Sequence, residues 1–199
     1  MFNQLVRRTY PFIHFISEGH SLPSAVASDM LLLAKPGELK NTRGSRADYK
    51  ERVFFKSGSY TTYSAPIRLF LDELCSESFA KDAMKHFNVD LKGSSLRIEL
   101  ACDVDGFFQI PHTDVGDKRI TWLTYLGTQD ENNDVGTDLY EDLNTPACSA
   151  PWGYNNGLIF KPGPTTFHGF TKGKKIKGDR KVLIINFVDN WKDKHELYA

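Results

Sequence analysis

Arg180-Lys181-Val182-Leu183-Ile184-Ile185-Asn186-Phe187 reads as one buried β-strand, rich in β-branched and aliphatic residues and free of glycine and proline. Successive side chains of a strand point to opposite faces. Arg180, Val182, Ile184 and Asn186 therefore share one face, and Lys181, Leu183, Ile185 and Phe187 the other. Arg180 is the anomaly in this run. A guanidinium at the head of a core strand is costly unless an anion meets it. That anion is either an external one, taken in a planar two-point contact, or the Arg sits at the strand mouth and reaches water or a surface carboxylate such as Asp179.

The same texture extends back to about residue 95. Short β-type runs cover Leu96–Ala101, Phe107–Ile110, Ile120–Leu126, Asp138–Tyr140, Gly157–Lys161, Thr165–Phe170 and Val182–Val188. Turn formers separate them, including Asp105-Gly106, Asn155-Asn156-Gly157 and Pro162-Gly163-Pro164. Many short strands with no helices between them indicate facing antiparallel sheets rather than a parallel, helix-alternating one. Before residue 90 the signals are mainly helical. Ser21-Leu22-Pro23-Ser24 opens a helix running to about Ala34. A second helix is expected over 64–87, on the apolar stripe Ile67, Leu69, Phe70, Leu74, Phe79, Met84 and Phe87. Residues 36–52 read as a polar, mobile loop. The expectation is a mainly β chain with flanking α: a double-stranded β-helix (jelly roll) of two antiparallel sheets with the N-terminal helices packed outside. Residues 1–199 read as one domain, in which 1–94 are largely helical support and 95–191 the core.

Composition agrees with a globular chain of 199 residues, 40% of them hydrophobic and 13% aromatic. Lys and Arg number 25, as do Asp and Glu. That balance argues against a global attraction to nucleic acid or to anionic membrane. Two basic stretches, 40–52 and 172–181, read as solvated loops apart from Arg180. Cys75, Cys102 and Cys148 are scattered and odd in number, so reduced thiols are expected rather than a disulfide framework or a paired-cysteine zinc site. The first residues carry charge where a signal peptide needs an apolar stretch. The aliphatic run 30–34 is too short to cross a bilayer. The expected location is cytoplasmic.

His112-Thr113-Asp114 places an imidazole and a carboxylate at i and i+2, on one face of an extended strand. His168 follows 56 residues later, after a Pro-Gly-Pro turn, where a second strand could deliver it to the same point. Two imidazoles and one carboxylate form the facial triad of non-haem iron(II) sites, which leaves the opposite coordination face open. The pair alone is common by chance. A turn Asp beside a packed His explains it equally well.

The ordered set is more specific than any member of it. Pro111-His112-Thr113-Asp114, Thr166-Phe167-His168-Gly169-Phe170 and Gly178-Asp179-Arg180-Lys181 resemble the motifs of the 2-oxoglutarate/iron(II)-dependent dioxygenase superfamily, particularly its prolyl-hydroxylase-like branch. Leu123-Thr124-Tyr125-Leu126 and Gly136-Thr137-Asp138-Leu139-Tyr140 resemble the segments between them, and the likeness spans roughly residues 95–191. The resemblance implies a hydroxylase holding Fe(II) through His112, Asp114 and His168. Arg180, with Tyr125, would take the far carboxylate of 2-oxoglutarate; Asn186, on the Arg180 face of its strand, reads either as a hydrogen-bond partner near that co-substrate or as a buried structural amide. O2 is the oxidant, and ascorbate is a possible reductant. The implied reaction couples oxidative decarboxylation of 2-oxoglutarate, giving succinate and CO2, to hydroxylation of an unactivated C–H bond in a peptide, amino acid or small metabolite. Asp114 sets the chain apart from halogenating relatives, which lack that carboxylate.

The sequence departs from the family pattern at two places. Cys102 stands about where many prolyl hydroxylases carry a Tyr, which puts a prolyl substrate in doubt. The interval from His168 to Arg180 is slightly long, which leaves Lys177 and Lys181 as alternatives for the carboxylate, although strand parity favours Arg180. Arg97 and Glu99 read as substrate contacts or an ion pair, Trp122, Trp152 and Trp191 as core or pocket rim, and 127–136 and 141–156 as candidate lids. Two rivals remain: a metal-dependent hydrolase with the same His/Asp/His site, and a non-catalytic jelly-roll binding protein. The substrate and the oligomeric state are not legible in the sequence.

Overall fold

The computed structural model describes residues 2–33, 50–114, 116–127 and 134–198, with the side chains of Lys50 and Glu51 outside that description. In chain order the strands are β1 Val6–Arg8, β2 His14–Ser17, β3 Lys50–Phe54, β4 Ser95–Val104, β5 Gln109–His112, β6 Lys118–Tyr125, β7 Asp138–Tyr140, β8 Pro146–Ser149, β9 Asn156–Phe160, β10 His168–Phe170 and β11 Asp179–Val188. The helices are α1 Ser24–Leu32, α2 Ala65–Leu74 and α3 Glu77–Phe87.

The aliphatic strand β11 lies inside the larger sheet, whose order is β1-β2-β9-β6-β11-β4-β3. It pairs antiparallel with β4 along its whole length, from Asp179 opposite Val104 to Val188 opposite Ser95, and with β6 on its other side. A strand paired on both edges and buried on both faces needs apolar residues in both alternating sets, which is what this run supplies. The smaller sheet has the order β5-β10-β7-β8 and is also antiparallel. The two sheets make the double-stranded β-helix expected from the sequence.

The alternation sorts the core into two layers. Lys181, Leu183, Ile185 and Phe187 face outward. There Leu183, Ile185 and Phe187 join Leu96, Ile98, Leu100 and Trp122 in contact with Ile67, Phe70, Leu71 and Leu74 of α2 and Phe79, Ala83 and Phe87 of α3. Val182 faces inward, with Leu123, Tyr125, Leu158, Phe160 and Phe170 between the sheets. The helices thus cover the outer face of the larger sheet. Among the described residues, no helix is long and apolar enough to cross a membrane.

Three expectations need correction. The single helix over 64–87 is two helices. Ser76 is extended and its hydroxyl accepts from Phe79 N at 3.1 Å, capping α3 and interrupting the helical ladder. The apolar stripe runs through because both helices pack on the same sheet. In the N-terminal region the helices are accompanied by β1, β2 and β3, which extend the larger sheet at its two edges. Residues 50–52, read as loop, belong to β3, and the remainder of that loop, 36–49, lies outside the described residues. Residues 146–149, read as part of a lid, form the exposed edge strand β8. The other lid candidate, 127–136, lies outside the described residues over 128–133.

Candidate metal centre and adjoining cavity

His112 ends β5 and His168 begins β10, and the two are direct register partners across the antiparallel pair. Their rings stand 4.4 Å apart, centroid to centroid. The ladder shifts register immediately after His168. Gly169 allows the strands to close at that shift, because a Cβ there would meet Gln109 O at 2.6 Å. Asp114 lies two residues past the end of β5, in the turn leading to β6, rather than on the strand itself. The three side chains nonetheless converge, and one ligand-type atom from each lies within 4.8 Å of the others.

The hydrogen bonds around the histidines determine which nitrogen faces inward. His112 Nδ1 donates to Ile110 O at 3.0 Å and His168 Nδ1 to Thr166 O at 3.0 Å. With each Nδ1 committed to a backbone carbonyl, each Nε2 keeps its lone pair for a cation. These nitrogens lie 3.7 Å (His112) and 3.5 Å (His168) from the Asp114 oxygens. Adjacent ligands about 2.1 Å from one ion lie about 3 Å apart, so binding requires a contraction of about half an ångström. The donor set fits a divalent transition metal. Gln109 Nε2 lies 2.9 Å from His112 Nε2 and must give way to an ion there.

The charge state suits ligation as well. Burial depresses the His112 pKa below its ordinary value, and the neighbouring His168 ring lowers it further. Burial alone would raise the Asp114 carboxyl, but Lys118 and His168 hold it well below the usual range. Lys118 Nζ sits 2.9 Å from Asp114 Oδ1, and Thr121 Oγ1 donates to Oδ2 at 2.8 Å.

The triad lines a cavity of about 300 Å³ between the sheets, and Arg180 lines the same cavity. Arg180 is 5% exposed and has a partner the sequence reading missed. Nη1 donates to Asp103 Oδ2 at 2.5 Å, Nε to Val135 O at 2.6 Å and Nη2 to Thr137 Oγ1 at 3.4 Å. Asp103 stands directly opposite Arg180 in the β11–β4 ladder. The alternating charges Arg97, Glu99 and Asp103 on an otherwise apolar strand were the available signal. Tyr125 is fully buried next to Arg180, with the guanidinium 5.7 Å from its ring centre. Its hydroxyl accepts from Thr137 N at 3.1 Å.

Asn186 lies six residues along β11 from Arg180, on the same face. Its amide oxygen accepts from Arg97 Nη1 at 3.3 Å and its amide nitrogen donates to Thr121 Oγ1 at 3.4 Å. Arg97 and Glu99 form the ion pair that was one of their two readings, and Glu196 accepts from Arg97 Nε at 2.7 Å. Trp191 lines the cavity, whereas Trp122 faces the helical layer and donates to Ser21 Oγ at 2.9 Å. Cys102 also points to the outer layer, where burial, followed by the nearby Asp179, pushes its thiol up to about 12. Lys181, the alternative to Arg180, lies on the outer face near Leu31 O. Lys174 is not solvated as its loop suggested, since it pairs with Asp138 at 2.6 Å.

No family model matches the sequence, and no curated protein matches it either. Solved structures do resemble it. A prolyl hydroxylase from Trichoplax adhaerens, in complex with a hypoxia-inducible-factor oxygen-degradation-domain peptide fragment, superposes with a TM-score of 0.63 at 16% identity, over 88% of this chain and 83% of that one. A Pseudomonas putida prolyl-4-hydroxylase gives 0.59 at 13% identity, covering 89% and 93%. The 2-oxoglutarate complex of the viral collagen prolyl hydroxylase from Paramecium Bursaria Chlorella virus-1 gives 0.58 at 15% identity, covering 90% and 96%. The described chain therefore has the jelly-roll fold of the prolyl hydroxylases, with a His/Asp/His cluster facing the cavity between its two sheets.

Proposed function

We propose that this protein is an iron(II)- and 2-oxoglutarate-dependent oxygenase that hydroxylates a C–H bond of a peptide, amino acid or small metabolite. One observation carries the reading: His112, Asp114 and His168 converge on the cavity that Arg180 also lines. A zinc hydrolase accounts for the triad but gives no ligand to the donors of Arg180 that Asp103, Val135 and Thr137 leave unengaged. The fold shared with prolyl hydroxylases supports the same reading.

His112, Asp114 and His168 would hold the iron, which would activate O2 as the oxidant for C–H hydroxylation, with 2-oxoglutarate oxidised to succinate and CO2 as the co-substrate. The protein's own residues orient and exclude. The far carboxylate of 2-oxoglutarate is assigned to Arg180. A guanidinium has five N–H donors, and the three engaged by Asp103, Val135 and Thr137 leave two for the co-substrate. Asp103 compensates the charge of Arg180, so hydrogen-bond geometry rather than net charge selects the anion. Val182, Ile184 and Leu123 line the cavity and limit water along the co-substrate. Tyr125 acts beneath Arg180, buttressing the guanidinium and fixing the Thr137 backbone. O2 is the second substrate, and ascorbate would serve to keep the iron reduced.

The test is succinate release from 2-oxoglutarate, with and without iron(II). The reading expects release that requires both iron(II) and O2 and that a metabolite or peptide pool accelerates. Hydrolysis products that appear without 2-oxoglutarate would support the hydrolase instead.

A further inference from the structure

Arg97, Asn186 and Thr121 are register partners on β4, β11 and β6, so their three inward side chains stand in one row across the larger sheet. A continuous chain of hydrogen bonds follows that row. Arg97 Nη1 donates to Asn186 Oδ1 at 3.3 Å, Asn186 Nδ2 to Thr121 Oγ1 at 3.4 Å, and Thr121 Oγ1 to Asp114 Oδ2 at 2.8 Å. Chemistry imposes the direction. A guanidinium has no acceptor, so Asn186 must present its oxygen to Arg97 and turn its NH2 the other way. The same NH2 lies 3.4 Å from the carbonyl of Ile120, which only accepts, and this fixes the amide from its second side. Thr121 thus accepts a hydrogen bond from Asn186 and donates its own to Asp114.

The origin of the row is immobile. Arg97 is paired with Glu99 and Glu196, and its guanidinium lies 4.9 Å from the ring centres of both Phe54 and Trp191. Asn186 is fully buried. At the far end, Asp114 has a competing partner, because Lys118 takes its other oxygen at 2.9 Å. Without Thr121, that exposed-side cation alone would decide how the carboxylate rotates.

We propose that Thr121 and Asn186 are positioning residues that hold the Asp114 carboxylate in its ligating rotation, with Arg97 as their anchor. The proposal rests on the reading of the triad as a metal site. It assigns a task to a buried amide and a threonine that are not members of the His/Asp/His donor cluster. Partners of this kind alter metal affinity by about 10–100-fold when removed.

The experiment is titration of Co(II) or Mn(II) into wild type, T121S, T121V, N186L and the T121V/N186L double variant, with thermal melting as a check of folding. T121V should weaken binding by about 10–100-fold, while T121S, which keeps the hydroxyl, should stay close to wild type. N186L should weaken binding less than T121V and add little to it, because its effect passes through Thr121. The Co(II) ligand-field spectrum should change in T121V and be restored in T121S. Wild-type affinity in T121V, or fully additive losses in the double variant, overturns the proposal. If N186L does not fold, the T121V and T121S pair decides it. Absence of metal binding by wild type would sink the triad reading itself, whereas wild-type binding unchanged in T121V sinks only the positioning role.

Discussion

Arg180 has an internal anion in Asp103, and the proposed function gives the same guanidinium an external one. Asp103 neutralises the charge that an isolated buried arginine could not sustain, and Arg180 also lines the cavity. Arg180→Met should therefore raise the 2-oxoglutarate requirement steeply. Loss of a hydrogen-bonded charge contact in a buried site costs about 2–5 kcal/mol, or tens- to thousands-fold in affinity. Arg180→Lys keeps the charge but loses the fork, so its binding should fall between the two. Titration of the metal-loaded proteins with 2-oxoglutarate checks both, and equal affinity in wild type and Arg180→Met would hand the carboxylate to another group. Because Asp103 is left buried beside the substituted position, Asp103→Asn in the Arg180→Met background should recover part of the lost stability. Denaturant melts of the single and double variants measure that recovery. His168→Ala should abolish metal binding while leaving the fold melting cooperatively, since its Nε2 faces the cluster rather than the core.

At the level of elements, the site depends on how β5 and β10 meet. Gly169→Ala forces a methyl group against Gln109 O at 2.6 Å. That contact separates the two strands just where His112 faces His168, so metal affinity should drop without loss of any ligand. Equilibrium dialysis of the variant against a divalent metal checks it. Legibility followed the same elements. β11 was readable because a strand buried on both faces needs an unbroken aliphatic run, and its parity placed Arg180 and Asn186 inward. β1, β3 and β8 were not readable. Each is an edge or near-edge strand that takes its ladder from a longer neighbour, so its residues carry no alternation of their own. The break between α2 and α3 was hidden because the apolar stripe continues through it, although Ser76 ahead of Glu77 marked a cap. In the site, the triad and Arg180 were legible from motif spacing. Asp103 was not, because its role comes from cross-strand register, which a linear pattern does not contain. Thr121, Lys118 and Gln109 lie seven, four and three residues from their partners, and the path of the chain around His112 and Asp114, rather than a periodic pattern, brings them there.

Across the whole molecule, histidines whose pKa burial lowers are expected to contribute to loss of stability in acid. His14 is 3% exposed, opposite Arg8 in the β1–β2 pair. Burial chiefly, with a smaller contribution from Arg8, depresses its pKa below the ordinary value, against the opposing Phe12 carbonyl hydrogen bond. The folded state then binds fewer protons than the unfolded one. Its contribution to stability is complete above the unfolded value of about 6.5 and is lost as pH falls below that toward the folded pKa. Urea midpoints should therefore decline from pH 7 toward pH 5, and His14→Gln should flatten the decline. An unchanged slope in His14→Gln would assign the effect to other groups, among them His86, whose pKa burial also lowers.

The most direct measurement joins the triad and Arg180 in one readout. Under nitrogen, iron(II) and then 2-oxoglutarate are added to the protein, and the visible charge-transfer absorption of a 2-oxo acid chelated to protein-bound iron(II) is followed. Wild type should develop the band and saturate with 2-oxoglutarate, His168→Ala should not develop it, and Arg180→Met should develop it only at much higher 2-oxoglutarate. Wild type that binds iron(II) without forming the band at any 2-oxoglutarate concentration would contradict the oxygenase reading.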